Sequence, residues 1–193
     1  IKFSKMVKKN ACVFFSGEGS NLKNLLKRSR DYNFPISIKL VVSNNPKARG
    51  VNFAKKHSIP CIIVNTRFRF FESIILNNLN KYRINIICLA GYMKIISKNF
   101  LRSFKKQVIN IHPSLLPKFK GLNTFKRILK TKEIKTGCTV HFVNEKLDGG
   151  RIIAQKSFYI MLNSNVSDLK KRTQNLEYSA YPEALIKIFR ASY

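Results

Sequence analysis

Apolar positions recur along the chain in two rhythms. Short, nearly unbroken apolar runs occur at Ala11–Ser16 (ACVFFS), Ile36–Ser43, Cys61–Val64 and Ile86–Ala90 (IICLA). Such runs suit strands that are covered on both faces. Between them, apolar residues return every three or four positions, the stripe of an amphipathic helix. These stretches predict helices from Leu22 to about Arg30, over Ala48–His57, and over Phe70–Tyr82 with Phe71, Ile74, Ile75 and Leu79 on one face. The junctions carry turn chemistry: Gly17-Glu18-Gly19-Ser20-Asn21 after the first run, and Asn44-Asn45-Pro46 after the second. Further on, the pattern predicts a helix around Ser97–Phe104, a strand over Gln107–Ile111 and a helix over Asn123–Lys130. Two longer strands follow, Gly137–Val143 and Arg151–Tyr159, joined by the short hairpin-like connection Asn144–Gly150. Ser167–Phe189 closes the chain as a helix that is expected to break or kink near Pro182, because proline lacks the N–H that the helix needs.

Strand and helix in alternation, then a hairpin-like pair, predict an α/β fold. The expected form is a doubly wound, Rossmann-like, mostly parallel sheet with an antiparallel C-terminal edge. No repeat, linker or low-complexity segment divides the 193 residues, a length that fits one domain. Residues 1–193 are thus expected to form a single domain, with Ile1–Lys5 as a disordered leader ahead of Met6. Ligands of such sheets gather at the carboxyl ends of the parallel strands. Three polar segments are expected there: Ser16–Asn21, Gly91–Met93 and Asn110–His112.

Composition changes this picture little, with one exception. No apolar run approaches the roughly 20 residues of a membrane span, and no segment reads as a signal peptide. The expected location is the cytoplasm. Cys12, Cys61, Cys88 and Cys138 lie far apart without a CxxC pair, which disfavours a disulfide framework or a zinc site, so no metal is expected. The exception is charge: 37 Lys+Arg stand against 9 Asp+Glu, a net +28. Such an excess is compatible with nucleic-acid or membrane-surface binding. The lysines, however, fall as isolated doublets such as Lys8-Lys9, Lys55-Lys56, Lys105-Lys106 and Lys170-Lys171. With no RRM, helix-turn-helix or zinc-finger pattern around them, and with heavy use of Asn, Ile and Phe, compositional bias is the favoured source. The charge would still attract small polyanionic substrates.

Candidate chemistry concentrates in "VINIHPSLLPKFKG", Val108–Gly121. Asn110 and His112 lie two apart and share a strand face. An amide can donate to a developing oxyanion, and an imidazole titrates near neutrality. A hydrogen-bonded core histidine is the alternative, but Pro113 and Pro117 would stiffen the loop that follows. Asp148, in Leu147-Asp148-Gly149-Gly150, is either a plain Asx turn or the carboxylate partner of His112. As a partner it would raise the imidazole's pKa and position a water. His141 alternates with apolar neighbours and reads as a half-buried strand histidine, while His57 reads as a helix C-terminal dipole partner. Ser16–Asn21 opens a helix whose N–H groups suit a monoester phosphate, or else it is a simple turn with Ser20 as N-cap. It lacks the spacing of a dinucleotide fingerprint and the GK[ST] of a P-loop. Asn110, His112 and Asp148 together, without a nucleophilic serine or cysteine, suit direct transfer of an activated carbonyl group to an amine.

These segments resemble the phosphoribosylglycinamide formyltransferase (GAR transformylase) family of folate-dependent enzymes of purine synthesis. The similar stretches, "SGEGSNLKNLL", "VVSNNPKARGVNFAKKHSIP", "LAGYMKIIS", "NIHPSLLPKFKGLNT", "GCTVHFVNEKLDGGRIIAQ" and "RTQNLEYSAYP", run in order from about residue 11 to 183. The resemblance implies transfer of the formyl group of 10-formyltetrahydrofolate, a co-substrate, to the amine of glycinamide ribonucleotide. It implies Asn110, His112 and Asp148 as the catalytic trio, with Asn110 and protonated His112 stabilising the oxyanion. Gly19, Ser20 and Asn21 match the substrate-phosphate loop, and Gln174 and Glu177 match positions that contact the ribosylglycinamide. Met93, Lys94, Ile95 and Ile96 match the folate pocket, with Asn110, Asn144, Leu147 and Asp148. Arg67 and Arg69 compete for the basic position before the Phe70 helix, and His141 is a further candidate. Lys94 stands where an arginine is commoner, which keeps the charge and loses the forked hydrogen bonding. Lys120 and Asn123 stand where proline and histidine are frequent.

Two sister enzymes share parts of this pattern. Methionyl-tRNA formyltransferase has a further C-terminal barrel, and formyltetrahydrofolate deformylase has a regulatory domain before the catalytic one. Neither is expected here, and neither accounts as well for Ser16–Asn21. Small-molecule substrates, no specific nucleic acid, no membrane, and a monomer or weak homodimer complete the expectation. The alternative from another class is a non-enzymatic basic α/β domain that binds nucleic acid.

Overall fold

A computed structural model describes residues 7–190; the proposed leader Ile1–Lys5 lies outside them. The described residues form an α/β fold with a seven-stranded sheet. The chain divides into two compact units, one running to Val108 and taken up again from Phe189, the other Ile109–Ile188.

In the first unit strand and helix alternate: β1 (Lys9–Phe15), α1 (Ser20–Ser29), β2 (Ile36–Ser43), α2 (Arg49–Lys56), β3 (Cys61–Ile63), α3 (Phe71–Lys81), β4 (Ile86–Leu89) and α4 (Lys98–Phe104). β1 pairs in parallel with β2 and with β4, and β2 with β3. The apolar runs read from the sequence are these strands. Ala11–Phe15 and Ile86–Cys88 are fully buried, as expected of parallel strands covered on both faces. Phe14 meets Tyr92 and Phe100 edge-on, at ring separations of 5.3 and 6.4 Å.

The second unit opens with β5 (Gln107–His112), whose first residues precede the boundary, and continues with α5 (Thr124–Leu129), β6 (Lys135–Phe142), β7 (Ile152–Tyr159) and α6 (Val166–Arg190). β5 pairs antiparallel with β6, and β6 with β7, which is the antiparallel edge expected from the hairpin-like spacing. β6 begins at Lys135, earlier than Gly137, because Lys135 already pairs with Tyr159. Pro182 does not end the last helix, which runs through it as one element. Ala180, Tyr181, Ala184 and Leu185 on either side are fully buried, and packing of this kind outweighs one missing backbone bond. No helix among the described residues is long and apolar enough to cross a membrane.

Candidate active site

The hydrogen-bond register of β5 and β6 assembles the centre of the site. Asn110 lies directly across from His141, and His112 across from Thr139. The Asn110 side-chain amide donates to His141 Nε2 at 3.3 Å. His141 Nδ1 donates to the Phe142 carbonyl at 2.8 Å. The β6–β7 connection then brings Asp148 to both imidazoles. Its Oδ2 lies 3.3 Å from His112 Nδ1 and its Oδ1 3.6 Å from His141 Nε2. Asp148 holds a backbone φ of +44°, and its Oδ2 also accepts the Gly121 N–H at 2.8 Å. The Asp148 and His112 side chains are each only 7% exposed, and that of His141 only 2%.

The loop after β5 supplies the remaining contact. His112 Nε2 donates to the Phe119 carbonyl at 2.9 Å. Phe119 has a φ of +58°, and the loop leading to it is braced from β6 and β7. Thr139 Oγ1 donates to the Ser114 carbonyl at 2.6 Å and accepts the Leu116 N–H at 3.0 Å. Gln155 Nε2 donates to the Leu116 carbonyl at 2.9 Å, and Ser114 Oγ to the Lys118 carbonyl at 2.6 Å.

Electrostatics here differ from the expectation for His112. Burial pushes its imidazole below the ordinary value; the Phe119 carbonyl and Asp148 pull it upward without overcoming that. Removing a cation from water costs more than one partly shared carboxylate returns. Burial also pushes the Asp148 carboxyl up, but the His141 side chain, the Gly121 N–H and His112 outweigh it and hold the group down at about 2. At neutral pH Asp148 is therefore a carboxylate, and it lies beside a His112 ring whose uncharged form burial favours.

The other predicted residues divide between the units. In the first unit α1 starts at Ser20, so the N-cap is Gly19 at φ +68°, without a side-chain cap; the Ser20 cap is corrected. A Cβ on Gly19 would lie 2.8 Å from Gly50 Cα, so the close approach of this turn to α2 requires glycine. Asn21 is buried beneath the helix start. Met93, Lys94 and Ile95 are exposed and Ile96 half-buried, on the segment between β4 and α4. Arg67 and Arg69 are both exposed on the approach to α3. The Arg67 N–H donates to Asn65 Oδ1, and the Arg69 guanidinium sits over the Phe70 ring at 5.7 Å. In the second unit Gln174 and Glu177 are half-buried on α6. The Asn144 amide donates to the Gly149 carbonyl at 3.4 Å within the Asp148 turn, where Leu147 is exposed.

The profile of the Formyl transferase family matches residues 9–185. The chain belongs to the formyl transferase family. Over 179 residues it is 36% identical to the phosphoribosylglycinamide formyltransferase of Haemophilus influenzae, covering 90% of this chain and 84% of that protein. It is 38% identical over 182 residues to the human trifunctional purine biosynthetic protein adenosine-3, covering 92% of this chain but 18% of that protein. The chain thus spans under a fifth of the length of that much longer relative. Among solved structures, glycinamide ribonucleotide transformylase 1 from Symbiobacterium toebii superposes with a TM-score of 0.91 at 31% identity, covering 100% of this chain and 92% of that one.

For this family member, sequence reasoning missed the groups that act through backbone atoms. The Phe119 carbonyl and the Gly121 N–H hold His112 and Asp148, and no side-chain type announces either. His141 did carry a signal. Once β5 and β6 are taken as antiparallel neighbours, pairing it with Asn110 follows from register. Among the described residues no group of three or more His, Cys, Asp or Glu could hold a metal ion.

Proposed function

We propose that this protein transfers the formyl group of 10-formyltetrahydrofolate to the amine of glycinamide ribonucleotide, giving formylglycinamide ribonucleotide for purine synthesis. One observation carries the reading: within a formyl transferase chain, a nearly buried Asp148 sits between His112 and His141, with Asn110 on the same network. Among the described residues no serine or cysteine side chain bonds to Asn110, His112, His141 or Asp148, which supports direct attack of the substrate amine on the formyl carbon.

As the new C–N bond forms, the formyl oxygen becomes an oxyanion and the amine becomes cationic. The Asn110 amide has two N–H groups, one of them given to His141, and the second suits the oxyanion. His112 rests largely neutral. A negative charge beside it favours protonation, so as the tetrahedral intermediate forms it takes up at Nδ1 the proton that the new ammonium releases through water. To donate to the oxyanion, its Nε2–H exchanges the Phe119 carbonyl for the substrate oxygen. Asp148 holds the imidazolium and passes the amine proton through water towards the departing folate nitrogen. The bond from the formyl carbon to that nitrogen then breaks, and the nitrogen leaves protonated.

The remaining assignments belong to the same proposal. The N-terminal turn of α1 at Gly19, Ser20 and Asn21 suits the substrate phosphate, with Gln174 and Glu177 contacting the ribosylglycinamide. Met93–Ile96, Asn144 and Leu147 take the folate, and Arg67 or Arg69 supplies a basic contact. Residues 1–193 work as one formyltransferase domain in the cytoplasm, a monomer or weak homodimer without a specific nucleic-acid partner.

The test is an acceptor assay. Purified protein should consume 10-formyltetrahydrofolate only when glycinamide ribonucleotide is present. Turnover without an acceptor would instead indicate the deformylase reaction, and formylation of charged initiator tRNA the other sister activity.

A further inference from the structure

Met93–Ile96 displays apolar side chains to solvent: Met93 is 68% exposed and Ile95 72%. Ordering a loop of this kind upon a ligand carries a cost in conformational entropy, unless the protein holds it beforehand. Both ends of this loop are held. At its entrance the Ser16 N–H donates to the Gly91 carbonyl at 3.1 Å. The Met93 N–H donates to Ser16 Oγ at 2.7 Å, and that hydroxyl donates to Asn44 Oδ1 at 2.6 Å. At its exit Glu72, in the first turn of α3, takes Ser97 with both carboxylate oxygens. Oε1 accepts the Ser97 N–H at 3.2 Å and Oε2 accepts the Ser97 hydroxyl at 2.6 Å.

Ser97 already caps α4 by accepting the Phe100 N–H at 3.0 Å. A cap needs only that side chain. The two-point grip by a carboxylate from another helix is additional, and it fixes where the preceding segment ends. Glu72 also faces Tyr92 at the start of the segment, whose phenol burial, and then the Glu72 charge, push up to about 12.

We propose that Glu72 is a positioning residue for folate binding: its grip on Ser97 holds Met93–Ile96 in the conformation that receives the ligand. The proposal rests on the reading of that segment as part of the folate pocket. Charge-assisted hydrogen bonds to a carboxylate are the strong ones, which suits a contact that must hold an exposed loop without help from a buried core.

The test compares wild type, Glu72→Ala and Glu72→Gln by steady-state kinetics, by titration with 10-formyltetrahydrofolate, and by hydrogen exchange. In Glu72→Ala the KM and Kd for 10-formyltetrahydrofolate should rise about tenfold, with kcat and the KM for glycinamide ribonucleotide within about twofold. Amide exchange should quicken over Gly91–Phe100 and nowhere in the sheet. Glu72→Gln, which keeps one acceptor, should fall between, and it carries the comparison if the alanine variant does not fold. A fall in Tm with unchanged folate KM, or an equal rise in both KM values, overturns the proposal. Wild type that binds the folate without transferring its formyl group overturns the proposed activity alone, and Kd and exchange then decide the role of Glu72. Wild type that does not bind the folate overturns both.

Discussion

At His112 two forces oppose one another, and burial prevails over Asp148. In the proposed mechanism His112 would therefore take up charge during the reaction and would not store it beforehand. Asp148→Asn should lower kcat by roughly 10²–10⁴-fold with little change in either KM; a near-native rate in a steady-state assay would remove Asp148 from the mechanism. Both His112 and Asp148 have depressed pKa values in the fold, so the unfolded chain binds more protons than the native one. Their stabilisation is present above the unfolded pKa and is lost as pH falls through the folded one. Wild-type Tm should thus decline as pH drops below 6.5, and decline again as it passes from 3.8 towards about 2. His112→Gln should flatten the first limb and Asp148→Asn the second in thermal melts. Limbs that persist in the variants would assign the effect to other groups.

Helix starts and strand register set the scale above. The turn before α1 comes within contact distance of α2, at Gly19 and Gly50. Gly19→Ala combines a left-handed φ with a 2.8 Å clash against backbone, and neither a rotamer nor a flexible neighbour can relieve it. The expected cost is about 1–3 kcal/mol in denaturant melts, with a raised KM for glycinamide ribonucleotide. An unchanged KM would separate this turn from phosphate binding. On the other unit, the antiparallel register of β5 and β6 places His141 against Asn110. A slip of one residue in β5 would turn Asn110 and His112 to the opposite face, away from His141.

For the molecule as a whole, +28 is a field more than a fold determinant. Both proposed substrates are anionic, so a positive field would raise their encounter rate and would be screened by salt. kcat/KM for glycinamide ribonucleotide should fall several-fold between about 20 and 300 mM salt, while kcat stays nearly constant. A flat salt profile would leave the charge without a role in capture. Retention of oligonucleotide at physiological salt would favour the nucleic-acid alternative.

Much of this protein is legible from the residues in order. Burial on both faces leaves its mark as unbroken apolar runs, so β1, β2 and β4 stood out, and so did the antiparallel pair by its short connection. The polar residues at the end of β5 stood out for the same reason, against an apolar background. Distances through space were not legible. Asp148 reaches His112 and His141 across a chain separation that no local pattern records, and the loop acceptors are backbone atoms common to every residue type. Pro182 shows the limit from the other side, since local propensity argued for a break and buried packing on both sides kept the helix whole. The His112 pKa is the sharpest case. A neighbouring carboxylate can be inferred from sequence, but desolvation depends on everything packed around the ring, and only the tertiary structure decides which of the two is larger.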